Sequence, residues 1–165
     1  MTKEVMFGAK IYLDSNVLIS AVEGELNGPE QRTERTREFL KLTQGKPGCL
    51  VTSELTIAEV LAPVQRSGVL PYGIRSRLYF NLLVWNESFD LMKVTRELLV
   101  ETARFRNDLV KKKKMKLPDA IHLTSAIRAR CGYFVSSDKD IPVPRGMKKI
   151  PYTSSGLRQL TELLQ

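Results

Sequence analysis

The chain has 165 residues, of which 42% are apolar and 27% are charged, a composition typical of a globular protein that predicts a single domain over residues 1–165. No run reaches the roughly 18 apolar residues of a membrane-spanning helix, and residues 1–10 lack the apolar core of a signal peptide, so we expect a cytoplasmic protein without a membrane partner. The formal net charge of +8 favours a polyanion as partner.

Short apolar runs alternate with longer helical patterns along the chain. Strands are predicted at residues 10–13, 49–52, 89–92 and 133–135, with residues 148–150 as a candidate fifth. Helices are predicted at residues 31–42, 54–65, 74–84, 95–112, 117–130 and 154–164, with Ser53 and Ser154 as N-caps and Gly132 as the C′ glycine after residue 130. This alternation predicts an α/β/α sandwich around a mainly parallel sheet of four to five strands.

Two acidic residues directly follow predicted strands. Asp14 follows the first strand in "AKIYLDSNVLISAV", and Asp138 follows the fourth strand in "YFVSSDKDI". Ligands of open α/β sheets bind at the carboxyl ends of the strands. If these two strands are neighbours, both carboxylates lie at the same edge of the sheet.

Two further acidic residues lie in apolar helical segments. Glu59 is the only charge in "LTIAEVLAPV", where a carboxylate needs a partner unless it faces solvent, which is the alternative interpretation. Glu54 lies in the first turn of the same predicted helix, where the helix dipole explains an acid, and it is our second choice. Asp119 follows Pro118 in "KLPDAIHLTSAI", where capping explains an acid about as well as function does.

Together these segments supply four carboxylates, from Asp14, Glu59, Asp119 and Asp138. Like charges brought together repel, and cations stabilise such a cluster. Carboxylate and water oxygens suit Mg²⁺, with Mn²⁺ as a substitute, whereas one histidine and two separated cysteines offer too few ligands for Zn²⁺. A divalent cation beside a basic surface is suited to phosphodiester hydrolysis.

The basic surface is predicted from the stretch between Arg104 and Lys116. This stretch contains seven basic residues and one acidic residue, and therefore carries a net charge of +6. The candidate nucleic-acid-binding residues are Lys111, Lys112, Lys113, Lys114 and Lys116. A solvated basic loop without a ligand explains a lysine run about equally well.

The order of these motifs resembles that of the PIN-domain ribonucleases, and most of all the VapC-type toxins of toxin–antitoxin pairs. The family's strand followed by Asp-Thr-Asn is matched by "YLDSNVLI", and its Ser-x-x-x-x-x-Glu helix is matched by "SELTIAEVL". Its Asp-Ala-x-x-x-x-x-Ala helix is matched by "LPDAIHLTSA", and its Thr-Asn-Asp-x-Asp-Phe segment by "VSSDKDI". Each pattern is short, but their order and spacing are specific, and the resemblance spans nearly the whole chain.

The resemblance implies a PIN-like fold that hydrolyses RNA, with a cognate antitoxin as a second partner. The metal-binding and catalytic acids would be Asp14, Glu59, Asp119 and Asp138. Asn16 would fix the geometry around Asp14, and Ser136 or Ser137 would support Asp138. The departures from the family pattern are mild, with Ser15 for the usual Thr, "SSD" for "TND" and Ile141 for the usual aromatic residue.

Several other side chains have two interpretations. His122 lies three residues after Asp119 and hence on the same helix face, where it either contacts RNA or packs against the core, and we favour the core. Tyr72, Tyr79 and Trp85 could stack on bases. Tyr72 and Tyr79 also fit a helix that packs on a partner subunit, as in a homodimer, or on an antitoxin.

Other functional classes fit the sequence less well. An RNA-binding module without strong activity would keep the basic stretch but lose acids, and a housekeeping PIN nuclease would keep both. A phosphatase of the haloacid-dehalogenase type needs a second aspartate where Asn16 stands. A nucleotide-binding switch needs a phosphate loop, and the sequence contains neither common glycine-rich pattern.

Overall fold

The computed structural model describes residues 10–24, 30–64, 68–109 and 115–165, and its centre is a parallel β-sheet. The strands are β1 (Ile11–Leu13), β2 (Leu50–Ser53), β3 (Phe89–Met92), β4 (Tyr133–Ser136) and β5 (Lys148–Pro151). Their spatial order is β3-β2-β1-β4-β5, and each neighbouring pair is parallel. The predicted α/β fold is confirmed, with the candidate fifth strand included.

The α-helices within the described ranges are α1 (Ser15–Glu23), α2 (Glu30–Thr43), α3 (Leu55–Val60), α4 (Tyr72–Phe80), α5 (Arg96–Leu109), α6 (Leu117–Arg128) and α7 (Ser154–Leu164). A π-helical segment, Asn81–Trp85, directly continues α4. Among these helices none is long and apolar enough to span a membrane.

Successive residues of β1 point to opposite faces of the sheet and pack into two separate cores. Ile11 and Leu13 belong to a cluster with side chains of α1, α2 and α7. Tyr12 instead packs with Leu123 of α6 and Phe134 of β4. All three β1 side chains are buried, as expected for a parallel strand that is covered on both faces. The helices therefore form the two outer layers of an α/β/α sandwich.

The order of the strands reverses next to β1. The chain adds β2 and β3 on one side of β1 and then returns to add β4 and β5 on the other side. Ligands of such doubly wound sheets bind at the carboxyl ends of the strands where the order reverses, which here is between β1 and β4. Asp14 follows β1 directly, and Ser136 is the last residue of β4.

The third helix is shorter than predicted, and its end has a local cause. α3 ends at Val60 rather than near residue 65. Pro63 disfavours the helical conformation at Ala62. Arg75 of α4 then donates hydrogen bonds to the carbonyl oxygens of Val60 (2.6 Å) and Ala62 (3.1 Å), which replace the next helical turn.

Some caps also differ from the prediction. The left-handed residue after α6 is Arg130 (φ 57°), so Gly132 is not the predicted C′ glycine. Thr153, not Ser154, caps α7, and its hydroxyl accepts a hydrogen bond from the amide of Gly156 (3.1 Å). Arg130 lacks the conformational freedom of glycine, so its position is not evident from the sequence.

The bounds of the remaining helices differ by a few residues. α4 begins two residues earlier than predicted, and the rest of that predicted helix is π-helical. α5 ends at Leu109, and the predicted continuation at residues 110–112 lies outside the described residues. Ser53 belongs to β2, although its hydroxyl accepts a hydrogen bond from the amide of Leu55 (3.2 Å). No bounds were predicted for α1.

Candidate active site

Asp14 lies at the junction of β1 and α1, beside the end of β4. Its amide donates to the carbonyl oxygen of Val135 (3.1 Å), which extends the pairing of β1 with β4 by one residue. Its side chain is 5% exposed. Oδ2 accepts a hydrogen bond from Ser136 Oγ (2.8 Å), and Oδ1 accepts one from Ser15 Oγ (3.3 Å). Two hydroxyl groups therefore fix the orientation of this carboxylate.

Asp138 lies in the turn after β4, and Ser136 connects it to Asp14. Ser136 Oγ accepts a hydrogen bond from the amide of Asp138 (3.1 Å) while it donates to Asp14. Asp138 Oδ1 in turn accepts from the amide of Asp140 (2.7 Å). The side-chain amide of Asn16 donates to Ser137 Oγ (3.4 Å). Asn16 and Ser137 thus tie the start of α1 to the turn that carries Asp138.

Asp119 lies in the first turn of α6, where the negative charges of Asp14 and Asp138 act on its carboxylate. Burial raises its pKa, and the negative charges of Asp14 and Asp138 raise it further against the weaker effects of His122 and Lys116. Repulsion of this kind requires that the three carboxylates share one region of the surface. The structure therefore brings together three of the four predicted acids from α6 and the ends of β1 and β4.

A cavity of about 260 Å³ opens beside these acids. The lining residues are Met115, Lys116, Asp119, Asp138, Asp140, Ile141 and Pro142. The exposed Lys116 supplies a positive charge at its wall. The other predicted RNA-binding residues, Lys111 to Lys114, lie outside the described residues.

Glu59, the fourth predicted acid, is held by His122. The Nε2 atom of His122 lies 2.7 Å from Glu59 Oε2 and 3.8 Å from Asp14 Oδ1. The Nδ1 atom on the other side of the ring lies 2.8 Å from the hydroxyl of Tyr12. His122 is only 1% exposed, so it packs in the core as we favoured and does not present its ring to RNA.

The pKa values of this pair shift in opposite directions. Burial alone would lower the pKa of His122, but the hydrogen bond to Glu59 and the charges of Asp14 and Glu59 raise it above its usual value. Burial alone would raise the pKa of Glu59, but the hydrogen bond and the charge of His122 lower it. Each partner therefore stabilises the charged form of the other.

The donor set fits a hard divalent cation. Across the described ranges, no three side chains of His, Cys, Asp or Glu converge closely enough to hold a metal ion by themselves. Mg²⁺ does not need such a cage, because it keeps several waters and binds proteins through one or two carboxylates. Asp14, Asp119 and Asp138 offer only oxygen ligands, and a cation would relieve the repulsion that raises the pKa of Asp119.

The other candidates lie elsewhere. Glu54, our second choice to Glu59, is exposed at the start of α3. Tyr79 is 1% exposed and donates its hydroxyl hydrogen to Glu23 (2.7 Å), so neither interpretation of it, stacking on bases or packing on a partner, fits the structure. Tyr72 and Trp85 are 64% and 61% exposed and remain available for contacts.

Two residues of the site were missed in the sequence. Tyr12 and Ser15 flank the first motif, and both contact groups around Asp14. Ser15 gives a weak signal, because it stands next to Asp14 at a position where the family usually has Thr, which also carries a hydroxyl group. Tyr12 gives no signal, because an apolar strand residue is explained by packing alone.

Comparison with protein families extends the geometric evidence. A family model described as "PIN domain" matches residues 11–146. The match begins with the first residue of β1, ends just before β5, and includes all four candidate acids. No curated protein matches the sequence.

Proposed function

Because the chain belongs to the PIN domain family, whose members are generally nucleases, we propose that it is a Mg²⁺- or Mn²⁺-dependent endoribonuclease of the VapC type. In this proposal it is the toxin of a type II toxin–antitoxin pair and cuts single-stranded or loop RNA. The observation that carries the nuclease part is that Asp14, Asp119 and Asp138 lie together at the carboxyl edge of the sheet. Ser136 bridges Asp14 and the amide of Asp138, and Asp119 and Asp138 line the same cavity. A divalent cation held by carboxylates can activate a water and stabilise the phosphate during phosphodiester hydrolysis.

We assign the following roles to the residues of the site. Asp14, Glu59, Asp119 and Asp138 would hold the cation, one or two of them directly and the others through its bound waters. The cation would lower the pKa of a bound water and neutralise charge on the phosphate. Ser136 orients Asp14 and the turn with Asp138 through its two hydrogen bonds. Lys116 in the cavity wall is placed to pair with a phosphate oxygen.

RNA as substrate is supported by charge. The formal net charge of the chain is +8, and the stretch from Arg104 to Lys116 is the most basic part of the sequence. Phosphate contacts of lysine and arginine supply most of the non-specific affinity for nucleic acids. We include Lys111 to Lys114 in this surface on the basis of sequence alone.

The toxin role requires a polypeptide partner. Exposed apolar side chains on α4 and the π-helical segment support binding of an antitoxin or of a second copy in a homodimer. These side chains are Tyr72, Ile74, Leu78, Val84 and Trp85. A gene for a small DNA-binding protein immediately upstream would favour the toxin role, and its absence would favour a housekeeping nuclease.

The test is cleavage of single-stranded RNA with purified protein. We expect cleavage with Mg²⁺ or Mn²⁺ that stops with EDTA, because the metal supplies the activated water. Replacement of Asp14, Asp119 or Asp138 by Asn removes a ligand charge and should abolish most of the activity while circular dichroism stays unchanged. Equal cleavage rates in EDTA would refute the proposal, and a variant that is fully active at limiting metal would show that its acid is misassigned.

A further inference from the structure

A buried chain of hydrogen bonds runs from the core to the site. Tyr12 is fully buried, and its hydroxyl lies 2.8 Å from His122 Nδ1. His122 Nε2 lies 2.7 Å from Glu59 Oε2, whose side chain is partly exposed. This chain of hydrogen bonds thus begins at the fully buried Tyr12 and ends at the partly exposed carboxylate of Glu59.

The direction of these hydrogen bonds follows from the donors available. The ionised carboxylate of Glu59 can only accept, so Nε2 must carry a hydrogen whether the ring is neutral or charged. In the neutral ring Nδ1 is then the acceptor, and the Tyr12 hydroxyl donates to it. This hydroxyl keeps its hydrogen at neutral pH, because tyrosine titrates at about 10 even in water. Glu59 therefore selects the tautomer with hydrogen on Nε2, and the Tyr12 hydroxyl stabilises it by donating to Nδ1.

This chain of hydrogen bonds also joins three of the four elements that position the acids. Tyr12 is on β1, two residues before Asp14, and His122 is on α6, one helical turn after Asp119. Glu59 is in the last turn of α3. The imidazole Nε2 lies between Glu59 Oε2 and Asp14 Oδ1, at 2.7 and 3.8 Å.

We propose that Tyr12 and His122 are positioning residues of the site, which fix Glu59 beside Asp14 and set the spacing of β1, α3 and α6. This inference rests on the proposed nuclease function. The hydrogen bond from His122 Nε2 to Oε2 fixes the orientation of the Glu59 carboxylate. The hydrogen-bond partners of metal-binding side chains typically contribute 10–100-fold to metal affinity or activity.

The first test is binding of Mn²⁺ alone, measured by titration calorimetry without RNA. Tyr12→Phe removes only the hydroxyl and keeps the ring that stacks on Phe134 at 5.2 Å. We expect about tenfold weaker Mn²⁺ affinity for Tyr12→Phe and for His122→Leu. His122→Gln keeps an amide donor for Glu59 and should recover much of the loss.

The second test reads the tautomer directly. His122 is the only histidine of the chain, so ¹⁵N-histidine labelling gives one unambiguous ring spectrum. In metal-free wild-type protein above the pKa of the ring we expect hydrogen on Nε2 only. Tyr12→Phe leaves Nδ1 without its donor and should shift the Nδ1 resonance while hydrogen stays on Nε2. A wild-type ring with hydrogen on Nδ1 alone would overturn the inference.

A matched control separates positioning from general stability. Tyr152→Phe removes another buried tyrosine hydroxyl, which is hydrogen-bonded to Thr36 (2.8 Å) in the core on the other face of the sheet. It should lower the melting temperature and leave Mn²⁺ affinity unchanged. Folded Tyr12→Phe with wild-type Mn²⁺ affinity and kcat contradicts the inference alone, even if His122→Leu fails to fold. Wild-type protein that neither binds Mn²⁺ nor cuts RNA contradicts the proposed function as well.

Discussion

At the scale of the residue, the aspartates of the site differ in the interactions that their carboxylates make. Asp14 is buried and accepts hydrogen bonds from Ser136 and Ser15. Asp119 is partly exposed, and the strongest influences on it are burial and the charges of Asp14 and Asp138. The ionised form of Asp119 is therefore disfavoured when no cation is bound.

Removing the charge of Asp119 should stabilise the metal-free protein. In EDTA at neutral pH we expect Asp119→Asn to melt at a higher temperature than wild type, because it relieves the repulsion with Asp14 and Asp138. With Mn²⁺ added, wild type should gain thermal stability and the variant should gain much less. Melting curves with EDTA and with Mn²⁺ measure both effects.

The stabilisation should depend on pH in a defined direction. The pKa of Asp119 is raised in the folded state above the value of about 3.9 in an unfolded chain. The folded state therefore holds the proton to higher pH, and ionisation costs stability as the pH rises through the raised pKa. The advantage of Asp119→Asn should be complete above that pKa and vanish below the unfolded value. Glu162→Gln, on the exposed side of α7, is the control and should show no such dependence. A destabilised Asp119→Asn protein in EDTA would contradict the assigned repulsion.

At the scale of the element, α7 depends on one glycine. Gly156 is buried in the first turn of α7, where it packs on β5. A Cβ at this position would overlap the carbonyl oxygen of Pro151 and approach Ile150 Cγ2 at 3.1 Å. The backbone oxygen cannot move aside without displacing the helix or the strand.

Gly156→Ala should therefore destabilise the protein. Overpacking of this kind costs about 1–3 kcal/mol, and each kcal/mol lowers the melting temperature of a domain of this size by about 2–4 °C. Gly73→Ala is the matched control, because Gly73 is an exposed residue of α4 with no atom within 4 Å of an added Cβ. That control should gain about 0.5–1 kcal/mol from helix propensity. A Gly156→Ala variant as stable as Gly73→Ala would mean that α7 does not pack on β5 as described.

The sequence predicted the elements better than their ends. Strand β3 has the predicted bounds, because its apolar run is flanked by clear breaks in pattern. The end of α3 was predicted about five residues too late, since the carbonyl partners that end it come from Arg75, which is distant in sequence. Tertiary contacts of this kind leave no trace in a local hydrophobic pattern.

At the scale of the whole molecule, the sequence predicts four candidate acids but not the hydrogen bonds that connect them. Asp14 and Asp138 follow strands, and parallel strands place such residues at one edge. The contact between Tyr12 and His122 joins residues 110 positions apart, and each residue alone fits ordinary core packing. The sequence therefore predicts which groups carry charge, whereas the hydrogen bonds that orient them require the fold.

The two edges of the sheet differ in what they present. The acids and Lys116 lie at the carboxyl edge, where the loops after β1 and β4 meet the start of α6. The loop between α2 and β2 enters the sheet at the opposite, amino edge, and it contains the exposed Lys46. Lys116 and Lys46 are both exposed and carry the same charge, so substitutions of lysines at the two edges can be compared.

The lysines Lys111 to Lys114 precede Lys116 in the sequence, and we predict that they hold the RNA backbone. If each neutralises one phosphate of single-stranded RNA, the slope of log affinity against log salt should fall by about 0.7 per lysine, or about 3 for the quadruple alanine variant. RNA affinity at several salt concentrations, with Ca²⁺ in place of Mg²⁺ to suppress cleavage, measures this slope. Sequence preference should not change, because phosphate contacts carry little sequence information.

Lys46→Ala, at the amino edge of the sheet, is the control and should leave the slope unchanged. A solvated loop without a ligand would instead leave both the affinity and the slope of the quadruple variant at wild-type values. Exposed lysines contribute little to folding, so the melting temperature should hold in all variants. A large loss of stability in the quadruple variant would mean that the stretch is structural, and both interpretations of it would then be wrong.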